Sequence, residues 1–134
     1  MTSASDPNKS LLLVEDDSDI RETIAELLEQ EGYSVALASN GVEGLDQLRG
    51  ASPLPAVILL DLRMPVMDGW TFREEQLKNA DWATIPVVVL TADRNTTVKA
   101  DAFGARRFLQ KPLDIRELLG ILSEVLKEQQ VGQA

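Results

Sequence analysis

A chain of 134 residues fits one domain and can bury roughly two-thirds of its unfolded surface, so it needs no disulfide or structural metal to fold. It contains no cysteine and no histidine, which excludes thiolate chemistry, a disulfide framework and the imidazole that most often serves as general base, zinc ligand or phosphoryl carrier. Thirteen Lys and Arg against 22 Asp and Glu leave a net charge of −9, which excludes nucleic acid and an anionic membrane surface as expected direct partners.

The first eight residues, Met1 to Asn8, are polar and lack the apolar core of a signal peptide, and no apolar run is long enough to span a bilayer. A cytoplasmic location is therefore expected, with 1–8 as a polar extension ahead of a domain over 9–127. Leu11-Leu12-Leu13-Val14 opens that domain as a continuous apolar run, the habit of a strand covered on both faces. Ile20, Ile24, Leu27 and Leu28 then fall at helical spacing, with Asp17 or Asp19 as cap and Gly32 as stop. A weaker strand over Tyr33–Ala38 and a helix near 41–49 follow.

Gly50-Ala51-Ser52-Pro53-Leu54-Pro55 reads as a loop, and Ala56-Val57-Ile58-Leu59-Leu60 as a second plainly buried strand. A helix is expected near 68–79. Val87-Val88-Val89-Leu90 is a third buried strand, with Pro86 at the first position, where proline is tolerated. A helix near 95–103 and a weaker strand at Arg107–Gln110 complete the pattern before the last helix. That helix, over 114–127, carries the stripe Ile115, Leu118, Leu119, Leu122, Val125 and Leu126, opened by Asp114 as N-cap. Residues 128–134 read as a frayed tail. Five βα repeats joined by right-handed crossovers give an α/β, doubly wound, five-stranded parallel sheet with helices on both faces. In such sheets, functional groups gather at the carboxyl ends of the strands.

Glu15-Asp16-Asp17 follows the first strand, Asp61 the third, Thr91 the fourth and Lys111 the fifth. Singly, each has an ordinary reading as a turn residue, helix cap, strand-end threonine or surface lysine. Together they differ. Two carboxylates about 4 Å apart repel by roughly 4 kcal/mol at an effective dielectric near 20. Three beside a buried sheet edge demand protonation or a cation, and one lysine does not compensate them. Oxygen ligands alone select a hard cation such as Mg²⁺ or Mn²⁺. A cation, a lysine and a threonine around one carboxylate suit phosphoryl transfer, with Asp61 as nucleophile.

The pieces Leu-Val-Glu-Asp-Asp at 13–17, Asp-Leu-Arg-Met-Pro-Val-Met-Asp-Gly at 61–69, Thr-Ala at 91–92 and Phe-Leu-Gln-Lys-Pro at 108–112 resemble the receiver domains of bacterial two-component response regulators. The resemblance runs from about Lys9 to Lys127. It implies a flavodoxin-like strand order 2-1-3-4-5 and a domain phosphorylated on Asp61 by a sensor histidine kinase or a histidine phosphotransfer protein. It also implies that Asp16 and Asp61 bind Mg²⁺ directly, with the Arg63 backbone carbonyl, while Glu15 acts through a water. Lys111 is implied to contact the phosphoryl oxygens and to precede a cis bond to Pro112. Such a domain is a signalling module that assists its own phosphorylation and dephosphorylation rather than an enzyme acting on other substrates.

The resemblance further implies a switch. A phosphoryl group brings close to two negative charges and three acceptor oxygens. The Thr91 hydroxyl would move to meet it, and Phe108 would turn inward. Phe108 alone would read as a plain core residue. The face over 95–127 would then pair with itself or dock a downstream protein; Lys99, Asp101, Arg106, Arg107, Arg116 and Glu117 give it mixed charge. Arg63 and Asp93 each lie two residues beyond a site residue, so a salt bridge between them would impede the attacking water and lengthen the acyl phosphate's life.

Other readings meet specific obstacles. A phosphatase of the haloacid dehalogenase type needs a second Asp two residues after the nucleophile, where Arg63 stands. A flavodoxin-like cofactor binder needs a phosphate loop where Glu15-Asp16-Asp17 would repel the phosphate, and no P-loop is present. The alternative that survives is a pseudo-receiver, an interaction module that signals without phosphate.

Overall fold

The structure, a computed structural model, describes residues 9–92 and 104–133. The polar extension 1–8, Asp93 and the helix expected near 95–103 lie outside the described residues. Within them, five strands form one parallel sheet: β1 (Ser10–Val14), β2 (Ser34–Ala38), β3 (Val57–Asp61), β4 (Val87–Thr91) and β5 (Arg107–Gln110). Their order is β2-β1-β3-β4-β5, as expected.

The unbroken apolar runs follow from burial on both faces. Side chains alternate along a strand. Leu11 and Leu13 therefore enter one core layer with Val57, Leu59, Val88 and Leu90, while Leu12 and Val14 enter the other with Ile58, Leu60, Val87 and Val89. The first layer is closed by helix α1 (Ser18–Gln30) and the long helix α5 (Ile115–Gln133), through Ile24, Leu28, Leu118, Leu122 and Val125. The second is closed by α2 (Gly41–Gly50) and α3 (Gly69–Leu77), through Leu45, Leu48 and Phe72. Each such fully buried side chain contributes about 1.5–3 kcal/mol. The edge strands are only partly covered.

Capping sets the helix ends. Asp17 accepts the amides of Asp19 and Ile20 at 3.0 and 3.1 Å, and Asp114 accepts that of Arg116 at 2.8 Å. Gly32, at φ +93°, lets the chain reverse after α1 into β2. Two expectations are corrected. The helix expected over 68–79 ends at Leu77, because Asn79 caps a separate short helix, α4 (Ala80–Ala83), by accepting the amides of Asp81 and Trp82. The segment expected to fray from 128 continues α5 to Gln133, and Glu128 anchors it through Arg106 at 3.0 Å and Arg107 at 2.6 Å.

Candidate functional site

The register of the sheet brings the predicted residues to one edge. β1 and β3 pair through Val14 and Leu60, so Glu15 and Asp61 leave the sheet side by side. β4 and β5 pair through Thr91 and Gln110, and the Lys111 amide donates to the Thr91 carbonyl at 2.8 Å. The strand order reverses between β1 and β3, and the cleft that opens there, about 230 Å³, is lined by Glu15, Asp16, Asp61, Arg63, Thr91 and Lys111, with Asp17, Ile20 and Ala92.

Asp61 is almost fully buried. Its Oδ1 accepts the Arg63 amide at 3.3 Å, and its Oδ2 lies 3.4 Å from Lys111 Nζ. Gly69 closes in behind it: a Cβ there would stand 2.5 Å from the Asp61 carbonyl oxygen and 2.8 Å from Leu62 Cα. Only glycine lets α3 start so near the end of β3. Glu15 is buried without exposure; its Oε2 accepts the Asp17 amide at 3.1 Å. Its Oε1 stands 2.6 Å from Lys111 Nζ but outside hydrogen-bond geometry, which leaves a buried carboxylate oxygen without a hydrogen-bond partner. Asp16 is exposed at the mouth.

Burial and the neighbouring Glu15 carboxylate push the Asp61 carboxyl up to about 7, against the opposing pull of Lys111. Burial alone would lower Lys111, but its contacts with Glu15 and Asp61 hold it above the usual lysine range. One ammonium thus faces more negative charge than it neutralises. Glu15, Asp16 and Asp61 each offer a carboxylate oxygen, all within 4.8 Å of one another. Three hard oxygens so close, with a single ammonium beside them, fit a small divalent cation completed by water.

The remaining expectations divide. Thr91 is buried at the end of β4, beside the cleft. Phe108 is partly buried against the α2–α3 core layer, on the opposite face from Leu109. Lys111–Pro112 is a cis peptide, as the resemblance implied. The Arg63–Asp93 pairing cannot be placed, because Asp93 lies outside the described residues. The larger groove beside the cleft, about 310 Å³, is lined mainly by apolar side chains of α1 and of the start of α5; it shares Ile20 and Lys111 with the cleft but has none of the three clustered carboxylates.

Sequence reasoning assigned no role to Arg21 or Arg73. Arg21 reaches back from α1 to the carbonyls of Glu15 and Asp16 at 2.8 and 3.3 Å. Its signal in the sequence was an arginine one turn beyond the acidic group, which reads equally as solvated surface. Arg73 is buried in α3, bonded to Gln76 at 2.9 Å and to the Gly104 carbonyl at 3.3 Å.

A family model for the response regulator receiver domain matches residues 11–123. The chain is 38% identical over 126 residues to response regulator Rre1 of Synechocystis sp., covering 92% of this chain and 54% of that protein, so it spans about half of that relative's length. Its fold superposes with a TM-score of 0.83 on a CheY-like response regulator receiver domain protein from Methanospirillum hungatei, at 28% identity, covering 92% of this chain and 98% of the other. The receiver domain of sensor histidine kinase PA1611 from Pseudomonas aeruginosa, whose structure has a magnesium ion coordinated in the active site cleft, matches with a TM-score of 0.80 at 27% identity, covering 89% and 98%.

Proposed function

The chain belongs to the response regulator receiver domain family, and from that premise we propose that it takes a phosphoryl group onto Asp61 in a reaction dependent on Mg²⁺ or Mn²⁺. The observation that carries this reading is the clustering of Glu15, Asp16 and Asp61 oxygens within 4.8 Å beside Lys111. Asp16, Asp61 and the Arg63 carbonyl would hold the cation, with Glu15 acting through a water. When bound, the cation supplies charge neutralisation for the phosphoryl oxygens.

The residues of the chain do the rest. An Asp61 carboxylate oxygen attacks phosphorus while the phosphorus–nitrogen bond of the donor phosphohistidine breaks. The imidazole nitrogen keeps the bonding pair and takes a proton from solvent, leaving an acyl phosphate on Asp61. Lys111 and Thr91 donate to the phosphoryl oxygens. The donor is a sensor histidine kinase or histidine phosphotransfer protein, and the protein works in the cytoplasm; no described helix is long and apolar enough to cross a membrane. The domain speeds its own phosphorylation and later hydrolysis.

Phosphorylation then draws Thr91 toward the new oxygens, and Phe108 turns into the space vacated. This alters the face over 95–127, which docks a downstream protein or a second copy. A Phe108→Ala chain whose phosphorylated form still gains affinity for its partner would remove Phe108 from the switch. A pairing of Arg63 with Asp93 over the bound phosphoryl group would slow its hydrolysis; unchanged hydrolysis in both alanine variants would exclude this.

The central test is incubation with a small acyl phosphate, with and without Mg²⁺, followed by intact mass measurement. One phosphoryl adduct that requires Mg²⁺ and is absent from Asp61→Asn is the expected result. No adduct in a chain that binds Mg²⁺ would favour a module that signals without phosphate.

A further inference from the structure

Arg21 donates to main-chain oxygens of the acidic loop rather than to its carboxylates, and its charge also acts on the nearby Glu43 carboxylate. Its Nη1 bonds the Glu15 carbonyl at 2.8 Å and reaches the Asp16 carbonyl at 3.3 Å. The other side of Glu15 is fixed as well, since its amide donates to the Ala38 carbonyl at 3.0 Å. The Glu15 side chain is held a third way, by the Asp17 amide on Oε2. Glu15 is thus pinned through its N–H, its C=O and one carboxylate oxygen. The remaining oxygen, Oε1, is buried and faces the Lys111 ammonium at 2.6 Å, outside hydrogen-bond geometry. The half-buried Arg21 fixes the loop without neutralising the oxygens that a cation would need.

We propose that Arg21 is a positioning residue that orients the Glu15–Asp16 loop and so makes the site prefer Mg²⁺ over Ca²⁺. The proposal rests on the reading of the cleft as a divalent cation site. Mg²⁺ requires near-ideal octahedral geometry with short bonds, whereas Ca²⁺ accepts irregular shells and longer ones. A loop clamped at consecutive carbonyls keeps its carboxylates at fixed separation, which rewards the stricter ion. Freed from the clamp, the loop can still satisfy Ca²⁺.

Coulomb attraction predicts the opposite sign, which makes the test sharp. Removing a positive charge beside an acidic cleft would, by charge alone, tighten both cations. Loss of positioning should weaken Mg²⁺ selectively, and groups that orient metal ligands typically change affinity about 10–100-fold. Titration calorimetry of the unphosphorylated chain with Mg²⁺ and with Ca²⁺ reads both constants without any phosphoryl transfer. Arg21→Ala is expected to lose about tenfold in Mg²⁺ affinity and no more than about threefold for Ca²⁺. Arg21→Lys, which can donate to one carbonyl, is expected to recover most of the Mg²⁺ affinity. Arg49→Ala removes an equal charge from an exposed pair with Asp46 on α2 and is expected to change neither constant.

Tighter or unchanged Mg²⁺ binding in Arg21→Ala, or equal loss for both ions, would overturn the proposal while leaving the cation site in place. A wild-type chain that binds neither ion would overturn both. If Arg21→Ala melts below the assay temperature, Arg21→Lys decides: about threefold weaker Mg²⁺ with unchanged Ca²⁺ supports the clamp, and no change in their ratio overturns it.

Discussion

Lys111 Nζ stands 2.6 Å from Glu15 Oε1, so the ammonium just past the last strand is spent on a buried carboxylate just past the first. It is also 3.4 Å from Asp61 Oδ2, so it sits as a positive charge beside the clustered carboxylates. Lys111→Met should therefore bind Mg²⁺ severalfold more tightly, because one repelling charge is gone. The same variant should take phosphoryl groups from a small acyl phosphate at least about tenfold more slowly, because the phosphoryl oxygens lose a charged donor. Calorimetry and timed intact mass measure the two effects. Weaker Mg²⁺ binding would mean that Lys111 chiefly supports the cleft's shape.

The Asp61 carboxyl gives the metal-free protein a distinctive pH dependence. Its value in the fold is raised from 3.8 to about 7, so between those limits the folded chain binds a proton that the unfolded chain has released. Stability from this group is complete below the lower limit, falls as pH climbs toward 7 and levels off above it. In chelator, the melting temperature of Asp61→Asn should pull increasingly ahead of wild type from pH 5 to about pH 7, then hold a steady lead above it. Added Mg²⁺ should close the gap by favouring the carboxylate. A gap constant with pH would show that Asp61 titrates normally.

Gly69→Ala should be damaging out of proportion to one methyl group. The new Cβ would meet the Asp61 carbonyl and the Leu62 Cα, both backbone atoms that cannot swing aside. A loss of about 2–3 kcal/mol is expected in urea unfolding, with weaker Mg²⁺ binding as Asp61 is displaced. A near-neutral result would show that the start of α3 can slide.

Val66→Gly should do the reverse. Val66 has φ 69°, a region hostile to a β-branched residue, and it is 81% exposed, so little packing opposes its removal. Relief of about 1–2 kcal/mol of backbone strain, less the entropy that glycine adds to the unfolded chain, leaves a gain of about 0.5–1 kcal/mol. Urea unfolding with an unchanged slope would register it.

Val66 also marks where the sequence stopped being readable. Strand positions and the site residues at their ends were legible because apolar runs and polar strand ends obey simple periodic rules. Asp61 and Lys111 stand where those rules put them. Val66 gave no sign of a left-handed turn, since valine is among the residues least expected there. Arg73 and Gln76 were equally silent. Polar residues on a helix read as solvent-facing, yet Gln76 is fully buried and donates to the Trp82 and Ile85 carbonyls at 2.9 and 3.1 Å. Their burial comes from how α3 meets the α4 turn and the approach to β5, a tertiary fact without local periodicity. The short helix after Asn79 was not legible for a related reason, because an asparagine at the end of a helical segment reads as readily as its stop as the cap of a new turn.

The uneven covering of the sheet also orders the lifetimes of its amide protons. β1, β3 and β4 are sealed on both faces, and their amides should exchange with solvent only when the whole domain opens. β5 is a half-covered margin, with only Leu109 sealed among its four residues. Its outer ladder can part from β4 while the three inner strands stay zipped. The carboxylates of β1 and β3 are thus rooted in the slowest-exchanging part of the molecule, and Phe108 and Lys111 in or beside one of the fastest. A local opening at that margin is expected to cost far less than global unfolding and to leave the acidic half of the cleft in place.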